Sequence, residues 1–305
     1  MVLMGEAVGG RVRGMERLPR HLKKRLPMGA GTANTRGLLQ DLKLHTICDE
    51  ARCPNRVECY AHGVATFLLM GDVCTRACRF CSVTSGRPAA GLDASEPQRV
   101  GEAVRRMGLR HVVITSVDRD DLADGGARHF AETIAAIRLA SPGTAVEVLT
   151  PDFQGDTDAV DIVMGAAPEV FGHNVETVLR LQRTVRPGSS LERSLAVLRH
   201  ASRPGSWTKT GLMVGLGETE DEVTETLREI REAGVDIVTI GQYLQPTRRQ
   251  MAVREFIEPG QFVRHEAAAR ALGFSEVLAG PFVRSSYLAD QIVPKTLPGL
   301  TGAGT

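Results

Sequence analysis

No run of apolar residues in the 305-residue chain approaches the ~20 that a membrane-spanning helix needs. The N-terminus also lacks the short apolar core of a secretory signal, so a soluble, cytoplasmic protein is expected. An excess of one charge is missing as well, with 37 Lys and Arg against 36 Asp and Glu. That balance argues against a chain built to coat nucleic acid or an anionic membrane, and it favours a small-molecule or protein substrate. Cysteine is scarce outside one region: all six stand between residues 48 and 81, in two groups of three. Three disulfides fit poorly in a chain of this size without an export signal. In a reducing compartment, clustered thiols bind metal or do chemistry instead.

With 42% hydrophobic residues the chain can bury a large core, and a barrel of this length commonly folds as one unit. Residues 1–27 read as a flexible basic arm, since "RVRGMERLPRHLKKRLP" is rich in Lys and Arg, has one Glu and shows no helical stripe. An arm that docks an acidic protein substrate and an organellar targeting segment are the alternatives. The final "LPGLTGAGT" reads as a frayed end.

Between these ends one pattern repeats. Strands are expected at "VATFLLMG", "HVVITSV", "AVEVLT", "EVFGHNV", "WTKTGLMVGL" and "DIVTIGQYL". Helices are expected between them, including "SEPQRVGEAVRRMG" with a Ser95 to Gln98 capping box, "VETVLRLQRTV", "SLERSLAVLRHA", "TEDEVTETLREIREAG" with a Thr219 to Glu222 box, and "PGQFVRHEAAARALG" after the sixth strand. Strands apolar on both faces, alternating with helices, predict a parallel sheet covered by helices. Six such units predict an α/β fold curled into a partial (β/α)6 barrel, with extensions at both ends. Its site belongs at the carboxyl ends of the strands. The expected division is a basic arm (1–27), an N-terminal extension with the first cysteine triplet (28–63), the barrel (64–275) and a C-terminal extension (276–305).

Cys74, Cys78 and Cys81 form C-x3-C-x2-C directly after the first strand. Zinc sites normally use four ligands, often two C-x2-C pairs, and neither triplet supplies them. Soft thiolates suit iron and sulfur, and a four-iron cluster wants one ligand per iron. Three cysteines leave one iron open for a small chelating ligand, as a catalytic cluster needs.

C-x3-C-x2-C after the first strand of a six-unit partial barrel resembles the radical S-adenosylmethionine (SAM) superfamily. The resemblance implies that SAM chelates the open iron and that one electron cleaves it to a 5'-deoxyadenosyl radical, which abstracts hydrogen from unactivated carbon. Phe80, inside the triplet, would then lie near adenine. The first triplet, Cys48, Cys53 and Cys59 as C-x4-C-x5-C upstream of the barrel, narrows the likeness to the lipoyl synthases. That likeness runs from about residue 26 to 287, through "GDVCTRACRFCSV", "VVITSVDRDDLADGGARHF", "VEVLTPDF", "HNVET", "TKTGLMVGLGET", "TIGQYLQPTRR" and "GPFVRSSY". It implies a sulfurtransferase that inserts two sulfur atoms, at C6 and C8 of a protein-bound octanoyl-lysine, using two SAM molecules per lipoyl group. It implies two 4Fe-4S clusters. One is held by Cys74, Cys78 and Cys81; the other is an auxiliary, sulfur-donating cluster held by Cys48, Cys53, Cys59 and Ser286, with Ser285 as the fallback. It also implies octanoylated carrier domains as partners (2-oxoacid dehydrogenase E2 or glycine cleavage H protein), an electron donor such as ferredoxin or flavodoxin, and a cluster assembly or carrier protein. Neither nucleic acid nor membrane is among them.

Glu147 sits inside an apolar strand, where a charge is costly unless partnered, so a ligand role is expected there, and the resemblance implies that the ligand is SAM. Thr115, Ser116 and Asp118, at the end of the second strand, are SAM candidates or plain turn residues. Asn174 is a SAM candidate, and His173 beside it reads as structural. Arg186, Lys209, Arg248 and Arg249 are candidates for carboxylates of SAM or of a carrier, or surface charges, and Arg284 for steadying the auxiliary cluster. Gly172 and Leu191 depart from the family pattern. Biotin synthase-like enzymes, electron-carrying iron-sulfur proteins and zinc-stabilised modules fit less well. The first carry their auxiliary cysteines downstream, the second close every iron with protein, and the third need a fourth ligand.

Overall fold

The computed structural model describes residues 18–24, 31–89 and 91–292. The expected arm lies outside the described residues except at 18–24, and the expected frayed end lies outside them entirely.

The described chain opens with α1 (Gly31–Asp41), β1 (His45–Thr46), α2 (Ile47–Glu50) and α3 (Arg56–Ala61). β2 (Thr66–Leu69) follows, paired antiparallel with β1. A small parallel ribbon, β3 (Val73–Cys74) and β4 (Thr84–Ser85), closes the base of the loop that carries the second cysteine triplet. The alternating units then run α4 (Glu96–Met107), β5 (His111–Ser116), α5 (Ala127–Ala140), β6 (Ala145–Leu149), α6 (Thr157–Gly165) and β7 (Val170–Gly172). After them come α7 (Gln182–Val185), α8 (Leu191–Ala201), β8 (Trp207–Val214), α9 (Glu220–Glu232), β9 (Ile237–Gln242), α10 (Pro259–Ala271), β10 (Glu276–Gly280) and α11 (Ala289–Ile292). The large sheet has the order β1-β2-β5-β6-β7-β8-β9-β10, and every pair after the first is parallel. Neighbours in sequence are neighbours in space, as a partial barrel requires.

The sequence explains the layers. β2, β7 and β9 are buried at every position and β5 and β6 at all but the last, because helices cover one face and the barrel interior the other. One apolar cluster joins β2, β5 and β6 to α4, α5 and α6; a second joins β8 and β9 to α8, α9 and α10. α9 starts with the expected box, Thr219 accepting from the Glu222 backbone while Glu222 reaches back.

Three expectations need correction. Ser95 makes no side-chain cap on α4; its hydroxyl donates to Asp93 at 2.7 Å. "VETVLRLQRTV" is helical only in its second half, as a 3-10 turn (Leu179–Leu181) leading into α7. Val175 N–H donates to Thr210 Oγ1 at 3.1 Å, and Glu176 bridges to β8, so the chain follows that strand before the short helix α7. A further parallel strand, β10, lies where the C-terminal extension was expected to begin.

After β10 the chain turns back along the barrel, and Asn55 Nδ2 donates to the Phe282 carbonyl at 2.7 Å. Lys24 Nζ donates to Asn55 at 2.9 Å, ion-pairs with Glu58, and lies 5.1 Å from the ring centre of Phe282 and 4.9 Å from that of Tyr287. This cation–π and ion-pair contact ties together three segments far apart in sequence. Among the described residues no helix is long and apolar enough to cross a membrane.

Candidate active site

The carboxyl ends of the strands surround a cavity of about 480 Å³. Both cysteine triplets reach it: Cys48 and Cys53 on one side, Cys74, Cys78 and Cys81 on another. Cys59, on α3, does not line the wall but is close enough to Cys48 and Cys53 to interact with them electrostatically.

Local structure fixes each triplet. Thr46 caps α2 by accepting from Asp49 N–H at 3.2 Å, which sets Cys48, and Cys53 N–H donates to the Cys48 carbonyl at 3.0 Å. The second triplet sits in a loop pinned at Thr75, whose N–H donates to Asp118 O, and at Arg79, whose N–H donates to Val185 O. Arg76, buried inside that loop, holds Asp120 with two hydrogen bonds of 2.8 Å and donates to Asp152 at 2.6 Å. Burial works to raise the fully buried Asp152 carboxyl, yet the Arg76 hydrogen bond and charge outweigh it and hold the group near 2. Ser82 Oγ donates to the Glu50 carbonyl at 2.6 Å and so fastens one triplet to the other.

All six cysteines are free thiols. Burial pushes Cys48, Cys74 and Cys78 up to about 12, and Cys59 and Cys81 to about 11. Such thiols stay protonated at neutral pH unless a cation replaces the proton. Among the described residues no three His, Cys, Asp or Glu converge as they would on a single ion. Soft donors spread around a cavity fit a group with several metal centres, each taking its own thiolate.

The other expected residues divide. Phe80, Ser116, Asp118 and Asn174 line the cavity, and the buried Ser116 Oγ has no partner among the described residues. Thr115 also lines it, but its hydroxyl donates to the Leu149 carbonyl at 2.8 Å. Glu147 is the main correction: it is not in the cavity wall, and its carboxylate meets Lys209 Nζ at 2.7 Å and His111 Nε2 at 3.5 Å inside the barrel. Its charge is paired with Lys209 through Oε1, while Oε2 has no hydrogen-bond partner among the described residues. His173 is structural, held between the Thr150 carbonyl and Ser194 Oγ at 2.9 Å each. Arg186 lines the cavity while donating to the Val175 carbonyl at 2.9 Å. Arg284 also lines the cavity and interacts electrostatically with Cys53 and Glu176. Neither Arg248 nor Arg249 is in the wall.

Ser285 and Ser286 both line the cavity. Ser285 Oγ donates to Asn174 Oδ1 at 2.8 Å, and both groups lie over Gly211, where an added Cβ would come within 2.5 Å of the serine oxygen and 2.7 Å of the asparagine oxygen. Asn174 in turn donates to Glu176 Oε1 at 3.0 Å. Glu176 was missed. Its carboxylate lines the cavity, burial pushes its pKa up, and its backbone holds φ at 68°, a strained value for a glutamate. Strain of this kind leaves no mark in the sequence, although "HNVET" contains the residue. Arg76 and Asp152 were missed as well, because their pairing depends on the folded loop.

Residues 68–230 match the family model of the radical SAM superfamily, and residues 6–53 match that of the N-terminal domain of lipoyl synthase. The lipoyl synthase of Thermus thermophilus is 53% identical over 277 residues, covering 90% of this chain and 86% of that protein. That of Halorhodospira halophila is 53% identical over 293 residues, covering 94% and 87%. Among solved structures, HydG, a maturase of the [FeFe]-hydrogenase, superposes with a TM-score of 0.56 at 14% identity, over 69% of this chain and 50% of HydG. Methylornithine synthase (PylB) gives 0.51 at 16%, over 79% and 74%, and these two likenesses concern the fold alone. With half its residues shared along nine-tenths of its length, the chain belongs to the lipoyl synthase family, the sulfurtransferases of the radical SAM superfamily that make the lipoyl group.

Proposed function

We propose that the two triplets divide one reaction between them. Cys74, Cys78 and Cys81 would hold a four-iron cluster together with SAM, and Cys48, Cys53, Cys59 and Ser286 would hold an auxiliary four-iron cluster as the sulfur source. The observation that carries this reading is that Cys48 and Cys53 of the first triplet and all three cysteines of the second border one cavity, so a chain threaded into it lies within reach of both sets. When bound, these groups supply hydrogen abstraction from unactivated carbon and a store of sulfide.

The protein's own side chains position and enclose. The choice of Ser286 over Ser285 is supported by the hydrogen bond that commits Ser285 to Asn174. A serine oxygen is a harder ligand than thiolate and easier to displace from iron, which suits a cluster that must come apart. Phe80 offers an aromatic face to adenine, and Ser116, Thr115, Asp118 and Asn174 offer polar atoms to SAM. The unpartnered Ser116 hydroxyl is the freest of these. Arg76 keeps the loop rigid, so that the thiols meet their irons preorganised. The apolar stretch of wall from Ile47, Leu149 and Leu212 suits an octanoyl chain and keeps water from it.

The substrate is an octanoylated lysine on a carrier domain, of 2-oxoacid dehydrogenase E2 or glycine cleavage H protein, with sulfur going to C6 and C8 and two SAM consumed. A ferredoxin or flavodoxin supplies electrons, a cluster carrier protein restores the auxiliary cluster, and the work takes place in the cytoplasm. The N-terminal extension (28–63) serves sulfur donation, the barrel (64–275, with β10 added at its edge) radical formation, and the chain after β10 supplies Ser286 to the auxiliary cluster. Paired variants test the division. Cys53→Ala is expected to keep reductant-driven formation of 5'-deoxyadenosine while losing sulfur transfer, whereas Cys78→Ala loses both. Deoxyadenosine formed by Cys78→Ala overturns it.

A further inference from the structure

A second cleft, of about 540 Å³, lies behind the loop of the second triplet. Its wall includes Cys78 and Cys81, which also line the reaction cavity, so the loop alone separates the two spaces. The other side of the cleft is the turn after β9, at Arg249, Gln250 and Met251. Arg249 therefore belongs to this cleft, not to the site where a carboxylate of SAM was expected.

The charge of the cleft is one-sided. Arg79 and Arg249 line it, both exposed, and no Asp or Glu does. Among the described residues neither guanidinium has an ion-pair partner, in contrast to Arg76 three positions before Arg79. Both backbones are nonetheless fixed. Arg79 N–H donates to Val185 O and Arg79 O accepts from Met251 N–H, each at 2.9 Å, while Arg249 N–H donates to Thr247 Oγ1 at 3.1 Å. Two exposed cations are thus carried on fixed backbone at the outer surface of the cysteine loop.

We infer that this cleft is the docking face for an acidic protein that donates single electrons. The inference rests on the reading of Cys74, Cys78 and Cys81 as cluster ligands. Each SAM cleaved consumes one electron, so the donor leaves oxidised by one electron while the site behind Cys78 and Cys81 is reduced by one, with no bond made at docking. A protein donor cannot enter a cavity already filled by SAM and an octanoyl chain; the back of the loop is where it comes closest to Cys78 and Cys81. An acidic carrier domain is the other protein such a face would attract, but its acyl arm has to enter the reaction cavity, in front of the loop. Paired positive and negative faces speed encounter and make it salt-dependent.

The test uses the full-length protein with its clusters reconstituted, titrated with an oxidised flavodoxin of net negative charge. Binding is expected to weaken as salt rises. Arg249→Glu is expected to weaken it by about tenfold and to slow flavodoxin-driven deoxyadenosine formation by a similar factor. Dithionite-driven formation and affinity for an octanoylated carrier domain stay unchanged. Gln250→Glu, which adds a negative charge to the same rim without removing an arginine, is expected to act in the same direction. Unchanged flavodoxin affinity in both variants overturns the inference, as does loss of carrier binding instead. Failure of the ligand reading would appear separately, as absence of deoxyadenosine from the unaltered protein with dithionite.

Discussion

Replacing Lys209 by methionine leaves Glu147 buried without its cation. The two side chains are each 2% exposed and meet at 2.7 Å, so solvent cannot take over when one is removed. Breaking a buried pair from one side costs about 3–5 kcal/mol, because the remaining charge keeps its desolvation penalty. His111 is the nearest other neighbour, at 3.5 Å, and burial pushes its pKa down, which works against its taking over as the cation. The loss is therefore expected at about 3 kcal/mol or more at pH 7.5. Urea unfolding of the cluster-free protein measures this directly. The double variant Glu147→Gln, Lys209→Met removes both charges and is expected to regain most of the loss. A loss below about 1 kcal/mol for Lys209→Met, or a double variant no better than the single one, would refute the reasoning that each charge is buried on account of the other.

The two remaining predictions concern a histidine and a serine. His173 has its pKa pushed down from the ordinary 6.5 to about 4, by burial first and the Arg186 charge second. The unfolded chain therefore binds the proton first, and stability should fall by up to about 3 kcal/mol as pH drops from 6.5 towards 4. His173→Gln should flatten that slope in unfolding midpoints between pH 7.5 and 4.5; an unchanged slope would contradict it. Ser116→Ala removes the unpartnered hydroxyl in the cavity wall. It should leave the cluster-free protein as stable as before or slightly more so, and weaken SAM binding to the reconstituted protein by about tenfold, one hydrogen bond's worth. Unchanged SAM affinity in an equilibrium titration would count against a contact there.

How much could be read from the sequence followed from the range of the interactions involved. The six expected strands were readable because a parallel strand buried on both faces is apolar throughout, as in "HVVITS" and "IVTIGQ". β10 was hidden because "EVLAG" is short, begins with a charge and follows the helix expected to close the series. "VETVLRLQRTV" looked helical from its apolar spacing, but hydrogen bonds to β8, more than 30 residues away, decide its path. The C-x3-C-x2-C spacing was legible because one loop must present all three thiols, whereas the first triplet is spread over α2, the turn after it and α3. Glu147 was misread for the opposite reason: a buried charge is visible in sequence, but its partner is 62 residues distant. Ser285 and Asn174, 111 residues apart, meet only because the chain after β10 folds back over Gly211.

The most direct measurement of the central claim is mass spectrometry of an octanoyl-lysine peptide after anaerobic incubation with SAM, dithionite and protein reconstituted with 34S-sulfide, with no sulfide left in solution. The account predicts a product carrying two heavy sulfur atoms from the unaltered protein and none from Cys53→Ala. A doubly sulfurated product from Cys53→Ala, or sulfur of ordinary mass in the product, would contradict it.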